Sequence, residues 1–146
     1  MPEDIHTAVS VRYLVKLDEA DLGTFSSCEG LGIEVVLESR EEGGNNGFVW
    51  QFPTRLKYPN IKLTRPLGGE SAAVVTWMSK LMSGYHRGTG TISAMTAAGK
   101  TVVVWSLNGV VPVRWTGPAL TPDSPKVVTE TLEIAHHGVT AVKGEG

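Results

Sequence analysis

Cysteine is all but absent from this sequence: Cys28 stands alone among 146 residues. An internal disulfide is therefore excluded, and a lone thiol fits a reducing compartment, so a cytosolic setting is expected. Charge of one sign is missing as well. Lysine and arginine total 13 against 15 acids, a net charge of −2, and no Lys/Arg cluster hides in that balance. Such a chain has no bulk electrostatic pull toward nucleic acid or anionic membrane. Long apolar runs are lacking too: the best helical candidate is about a dozen residues, short of the roughly 20 that cross a bilayer. The opening residues, M-P-E-D-I-H, are acidic and carry no basic region followed by an apolar core, the mark of a secretory signal.

Strands are what the sequence does contain. A hydrophobic share of 41% with 19% charge is that of a globular chain rather than a disordered one, and the length suits one domain spanning residues 1–146. Residues 1–9 and 140–146 read as its termini, ordered by assembly if at all. Val11–Asp18 alternates, and after the acidic turn Glu19-Ala20-Asp21 the segment Leu22–Ser27 returns, a hairpin. A second hairpin is expected over about residues 33–53. Ile33, Val35 and Leu37 alternate with Glu34, Val36 and Glu38, and Phe48–Phe52 returns with Phe48, Trp50 and Phe52 on one face. Its tip, E-E-G-G-N-N-G from Glu41, is too polar to pack on its own domain. Val36 and Val49 put more apolar surface on the nominally wet side than an isolated hairpin tolerates.

The period changes once. Val74, Trp77, Met78, Leu81 and Met82 form a stripe on one face of a helix expected at about 70–83, with Glu70 and Ser71 at its start and Gly84 as its stop. Thereafter strands are expected at Thr89–Thr96, Thr101–Leu107, Val110–Trp115 and Val127–His137, with Asn108-Gly109 as a hairpin turn. Thr101–Leu107 is apolar on both faces, which calls for a cover from the helix or from a neighbouring subunit. The fold class is mainly β: a small antiparallel barrel or sandwich with one flanking helix and a protruding hairpin.

The chemistry-bearing residues argue against catalysis. His136 and His137 are adjacent, so on a strand they face opposite ways and do not share one ion; with His6 and His86 they read as surface or interface histidines. Cys28 lacks a histidine partner motif and reads as a small half-buried residue. Glycine pairs such as Gly88 and Gly90 lack the lysine and the strand–loop–helix setting of a phosphate loop. Glu130 is the odd acid: it shares a strand face with Val128, Leu132 and Ile134, and must either pair with a cation or meet a partner. Thr89, Thr91 and Ser93 make a face of small hydroxyls, suited to a smooth wall facing water. No cofactor or metal is expected.

Four blocks carry a resemblance. The stretch from Gly23, G-T-F-S-S-C-E-G-L-G-I-E-V, is similar to the G-x-F-x-x-x-x-G-L-x-x-E-V signature of the contractile-phage tail tube family. Leu56–Pro66, L-K-Y-P-N-I-K-L-T-R-P, resembles that family's Lys-Tyr-Pro-Asn turn and the strand that leads to a tryptophan-bearing helix, here with Trp77. Trp105–Pro118 and Glu130–Gly138 resemble its last two blocks, so the likeness runs from about Val11 to Val139. It implies an inner tube of stacked hexameric rings in a phage tail or contractile injection system. Strands of six subunits would join around a channel that carries DNA or effector protein, and a contracting sheath would drive the tube through a target envelope.

The partners implied are the chain itself, a sheath protein, and baseplate and tube-initiating proteins, with assembly in the bacterial cytoplasm and no membrane insertion by this chain alone. On this reading Ile33, Val36, Glu38, Arg40, Glu41, Glu42, Val49 and Trp50 form the inter-subunit contacts. Thr89, Thr91 and Ser93 face the lumen, and Asp18, Glu19 and Asp21 serve sheath or stacking contacts. Two rivals are a β-sandwich carbohydrate-binding module stacking sugar on Trp50 or Trp115, and a small hydrolase using Cys28 or His136.

Overall fold

The computed structural model describes residues 11–18, 20–40, 49–84, 88–118 and 128–144. Among them the order is β1 (Val11–Leu17), β2 (Ala20–Phe25), β3 (Ser27–Glu29), β4 (Glu34–Arg40), β5 (Trp50–Lys57), β6 (Ile61–Pro66), α1 (Ser71–Ser83), β7 (Gly88–Thr96), β8 (Thr101–Thr116), β9 (Thr129–Ala135) and β10 (Gly138–Gly144). All the pairings are antiparallel. One half of the main sheet runs β2-β1-β7-β8-β10, and the other runs β8-β9-β6-β3. The long strand β8 belongs to both, so the result is a sandwich folded about a shared strand rather than a closed barrel. Among the described residues β4 and β5 pair only with each other, as a separate two-stranded sheet.

Alternation explains the core. Val15 and Leu17 of β1, Leu22 and Phe25 of β2, Ile61 and Leu63 of β6, Ile92 of β7, Leu107 and Val110 of β8, and Leu132 and Ile134 of β9 all point between the two halves and are buried. Helix α1 closes one end, burying Val74, Trp77 and Leu81. Its stripe is narrower than the periodicity predicts: Met78 only borders the core, and Met82 is 72% exposed. The helix stops at Gly84 without a left-handed cap, since Gly84 has φ −142°.

Three expectations need correcting. Asn108-Gly109 is not a hairpin turn: β8 runs straight through it. A two-residue turn of that kind requires positive φ at both central residues. Here only Gly109 (φ 66°) has it, and the register against β7 shifts at this point, which is a bulge. The bend lets the first part of β8 pair with β7 and β10 and the last part with β9. The segment read as a terminal tail is the next correction, because residues 138–144 form β10 along β8. Lastly, Leu22–Ser27 breaks at Ser26, whose N–H donates to the carbonyl of Thr64 (2.9 Å), and the chain steps there from one half-sheet to the other.

Candidate assembly surface

The arm, β4 with β5, holds most of the exposed apolar surface. Ile33, Val35, Leu37, Val49, Trp50, Phe52 and Leu56 are between 41% and 55% exposed. Register assigns them to faces. Val35 and Leu37 stand opposite Leu56 and Pro53 on one side; Glu38 and Arg40 stand opposite Phe52 and Trp50 on the other. Trp50 and Phe52 stack there with centroids 6.3 Å apart. The side expected to be wet therefore carries the aromatics, along with half-buried Val36 opposite Arg55. The expected return strand over 48–52 lies instead at Trp50–Lys57, and a register shift beside Val36 adjusts the pairing. Both faces of the arm are greasy. Glu38 and Arg40 pair at 3.9 Å in the open, a contact of small energetic weight. Glu41, Glu42 and Phe48 lie outside the described residues.

The root of the arm is firmly built. Gly30, with φ 89°, leads into β4, and a Cβ there would overlap the carbonyl of Asn60, so only glycine lets the two legs of the arm meet. The side-chain amide of Asn60 donates to Glu133 Oε2 at 2.9 Å, tying the turn after β5 to β9. Tyr58, in the same turn, tilts over His136 with ring centroids 5.4 Å apart and packs on Gly138. His136 is only 5% exposed, which corrects its reading as a surface or interface residue.

A buried ionic lock ties the helix to the sandwich. Arg65 and Glu130 face each other in the β6–β9 pair, and Arg65 Nε donates to Glu130 Oε2 at 2.9 Å. Glu130 also accepts from Ser71 Oγ (2.7 Å) and from the Trp115 indole N–H (2.7 Å). The Arg65 guanidinium lies 4.2 Å from the centre of the Phe25 ring and donates to the carbonyl of Leu22. It further bonds the carbonyl of Glu70 at 3.0 Å and its carboxylate at 3.1 Å. Burial alone would push the Glu130 carboxyl up, but the bonds from Ser71, Trp115 and Arg65, with the guanidinium charge, hold it below its ordinary range. The pairing alternative for Glu130 is thus the one realised. Its partner was equally visible in the sequence, since Arg65 continues the buried alternation of Ile61 and Leu63. Gly23 (φ 85°) passes so close to Glu70 that any side chain there would collide with its carboxylate.

The opposite side of the first half-sheet is polar. Lys16, Asp18, Thr89, Thr91, Ser106 and Thr140 help line an open groove of about 370 Å³. Ser93 lies on the same side, two residues along from Thr91 and opposite Leu14. Asp18, at φ 55°, accepts the Thr89 N–H at 3.1 Å, and Asp21 accepts that of Gly23 at 2.9 Å. Asp18 therefore belongs to the same surface as Thr89 and Thr91; Glu19 lies outside the described residues. Cys28 is half-buried, and burial together with neighbouring Glu29 pushes its thiol up to about 11. No cluster of metal-ligating side chains occurs among the described residues.

The model of the family described as T4-like virus tail tube protein gp19 matches residues 9–140. The chain belongs to this family. All four blocks that resemble tail tube proteins contribute to the lock or the root just described. A comparison with curated proteins finds no match. Solved structures are similar in fold. A chain of the sheath–tube complex of an extracellular contractile injection system, PVC, in its extended state superposes with a TM-score of 0.72 at 19% identity, over 92% of this chain and 89% of that one. A chain of the anti-feeding prophage baseplate gives a TM-score of 0.72 at 18% identity, over 92% and 93%. Hcp1 from Flavobacterium johnsoniae gives 0.52 at 14% identity, over 92% and 96%. As a tail tube family member the chain has a structural role.

Proposed function

We propose that this chain is a subunit of the inner tube of a contractile injection particle, assembling as hexameric rings that stack around a channel inside a sheath. The observation that carries this reading is the arm: a two-stranded sheet, apolar on both faces, that no other strand among the described residues pairs with. A hairpin of that kind is marginal in water alone. Covering the half-exposed side chains is worth about 1 kcal/mol each, a gain repeated at every symmetry-related site. Ile33, Val36, Glu38, Arg40, Glu41, Glu42, Val49 and Trp50 contact neighbouring copies. The free edges of the first half-sheet, β2 and β10, join from one subunit to the next and continue the sheet around the ring. Its hydroxyl face, with Thr89, Thr91, Ser93 and Asp18, then lines the lumen, while Asp21, with Glu19, serves sheath or stacking contacts. Sheath, baseplate and tube-initiating proteins are the remaining partners, and DNA or effector protein is the cargo. Assembly takes place in the bacterial cytoplasm.

Variants carrying Leu37→Asp on one face of the arm or Phe52→Asp on the other test the reading. Each is expected to stay folded and to abolish tube growth from a baseplate, seen by negative-stain electron microscopy. Tubes of normal length from both variants would exclude the arm as an assembly element. A monomer whose tryptophan fluorescence is quenched by sugar would favour a carbohydrate-binding module, for which Trp50 offers a platform; Trp115 is half-buried with its indole N–H committed to Glu130.

A further inference from the structure

We propose that His136 is an acid-sensitive pin beneath the root of the arm, and that protonating it releases the arm from its fixed angle and loosens the assembled tube. The consequence for the tube rests on the assembly reading above; the pin itself concerns the protomer alone.

Position comes first. His136 follows the last residue of β9 and precedes the corner into β10, directly under the turn that joins β5 to β6. Tyr58 covers one side of its ring, and both ring nitrogens are buried with no hydrogen-bond partner. The backbone of Pro59 and of Gly138 lies close enough to favour the charged ring, though neither makes a hydrogen bond of ordinary distance and angle. The titratable and charged groups around it are few. Tyr58 faces it from the turn, His137 adjoins it and is exposed, and Glu133 at the same root is engaged by Asn60. Among the described residues no carboxylate faces the ring to receive an imidazolium. Desolvation by burial, with a smaller push from His137, outweighs the help of the two backbone groups and holds the ring's pKa below its ordinary value.

The sign follows. A histidine whose folded pKa is depressed contributes stability that is complete above about pH 6.5 and is lost as pH falls through the folded value. Below that point a charge must be placed beside two backbone groups alone, with no facing carboxylate among the described residues, and the cheapest relief is to swing the ring out. That movement displaces Tyr58 from Gly138 and parts the turn from the β9–β10 corner, the two features that aim the arm.

Two measurements test the pin. In the unaltered labelled chain, histidine and amide NMR spectra are followed from about pH 8 to about pH 4.5. His136 is expected to titrate below its ordinary value, with the Tyr58 ring and the amides of residues 33–40 moving on the same curve. Tubes grown on a baseplate at about pH 7.5 are then shifted to about pH 5.5. Wild-type tubes are expected to disassemble on the order of tenfold faster than tubes of His136→Phe, which cannot take up a proton; His137→Gln should behave as wild type. Arm amides indifferent to the His136 titration, or tubes of His136→Phe dissolving on the wild-type pH curve, would overturn the proposal. Failure to form any tube at neutral pH would count against the assembly reading instead, and the NMR titration would still decide the pin.

Discussion

Glu130 shows how one side chain fastens several elements. A buried carboxylate that loses its guanidinium leaves an uncompensated charge, which costs about 3–5 kcal/mol. Arg65→Ala is therefore expected to lower unfolding free energy by roughly that amount in a denaturant titration, while Glu70→Ala, whose carboxylate lies in the open, costs under about 1 kcal/mol. The direction of the Glu130 shift gives a pH signature. Its folded pKa is depressed, so its contribution is present above the ordinary carboxylate value and fades as pH falls below about 4.5. His136 acts in a higher window, below about pH 6.5. Thermal denaturation against pH should accordingly show two steps, with Glu130→Gln removing only the lower one. At the same scale, the raised thiol of Cys28 makes it slow toward thiol reagents at about pH 8 until the chain unfolds; rapid labelling of native protein would contradict its half-buried place against the core.

Elements were legible in the sequence wherever a single period held. The alternation of Val15 and Leu17, of Ile61 and Leu63, and of Leu132 and Ile134 marked strands and their buried faces, and Val74, Trp77 and Leu81 marked the helix. The signal failed where local chemistry admits two outcomes. Asn108-Gly109 suits a tight turn, yet its neighbours gain more by pairing with three different strands than with each other, and one positive φ makes a bulge of it. Gly109→Ala tests this: with φ at 66° and a Cβ placed 2.9 Å from the His137 side chain, a loss of about 1–3 kcal/mol is expected on unfolding. Strand β10 is hidden from the sequence pattern for a related reason. Val139-Thr140-Ala141-Val142 is short and flanked by glycine, and only β8 alongside it makes it a strand. In the arm the apolar content was read correctly but not its distribution, because the register that puts Trp50 and Phe52 opposite Arg40 and Glu38 depends on a shift that alternation alone does not reveal.

On the scale of the whole molecule, the protomer is well finished inside and unfinished outside. The polar groups of its lock are paired by its own residues, whereas among the described residues the arm and the edges of β2 and β10 have no partner strand. The four blocks that resemble the family lie mostly in the finished part and reach the exposed apolar surface of the arm only at Ile33, Val35 and Leu56; the sequence therefore announced the family more clearly than the contact surface. The most direct test is imaging of the purified chain grown from a baseplate, by cryo-electron microscopy. Sixfold rings are expected, with the arm buried against neighbouring copies and residues 89–93 on the channel wall. Rings that leave both faces of the arm open to water, or a chain that stays monomeric on a competent baseplate, would contradict the account.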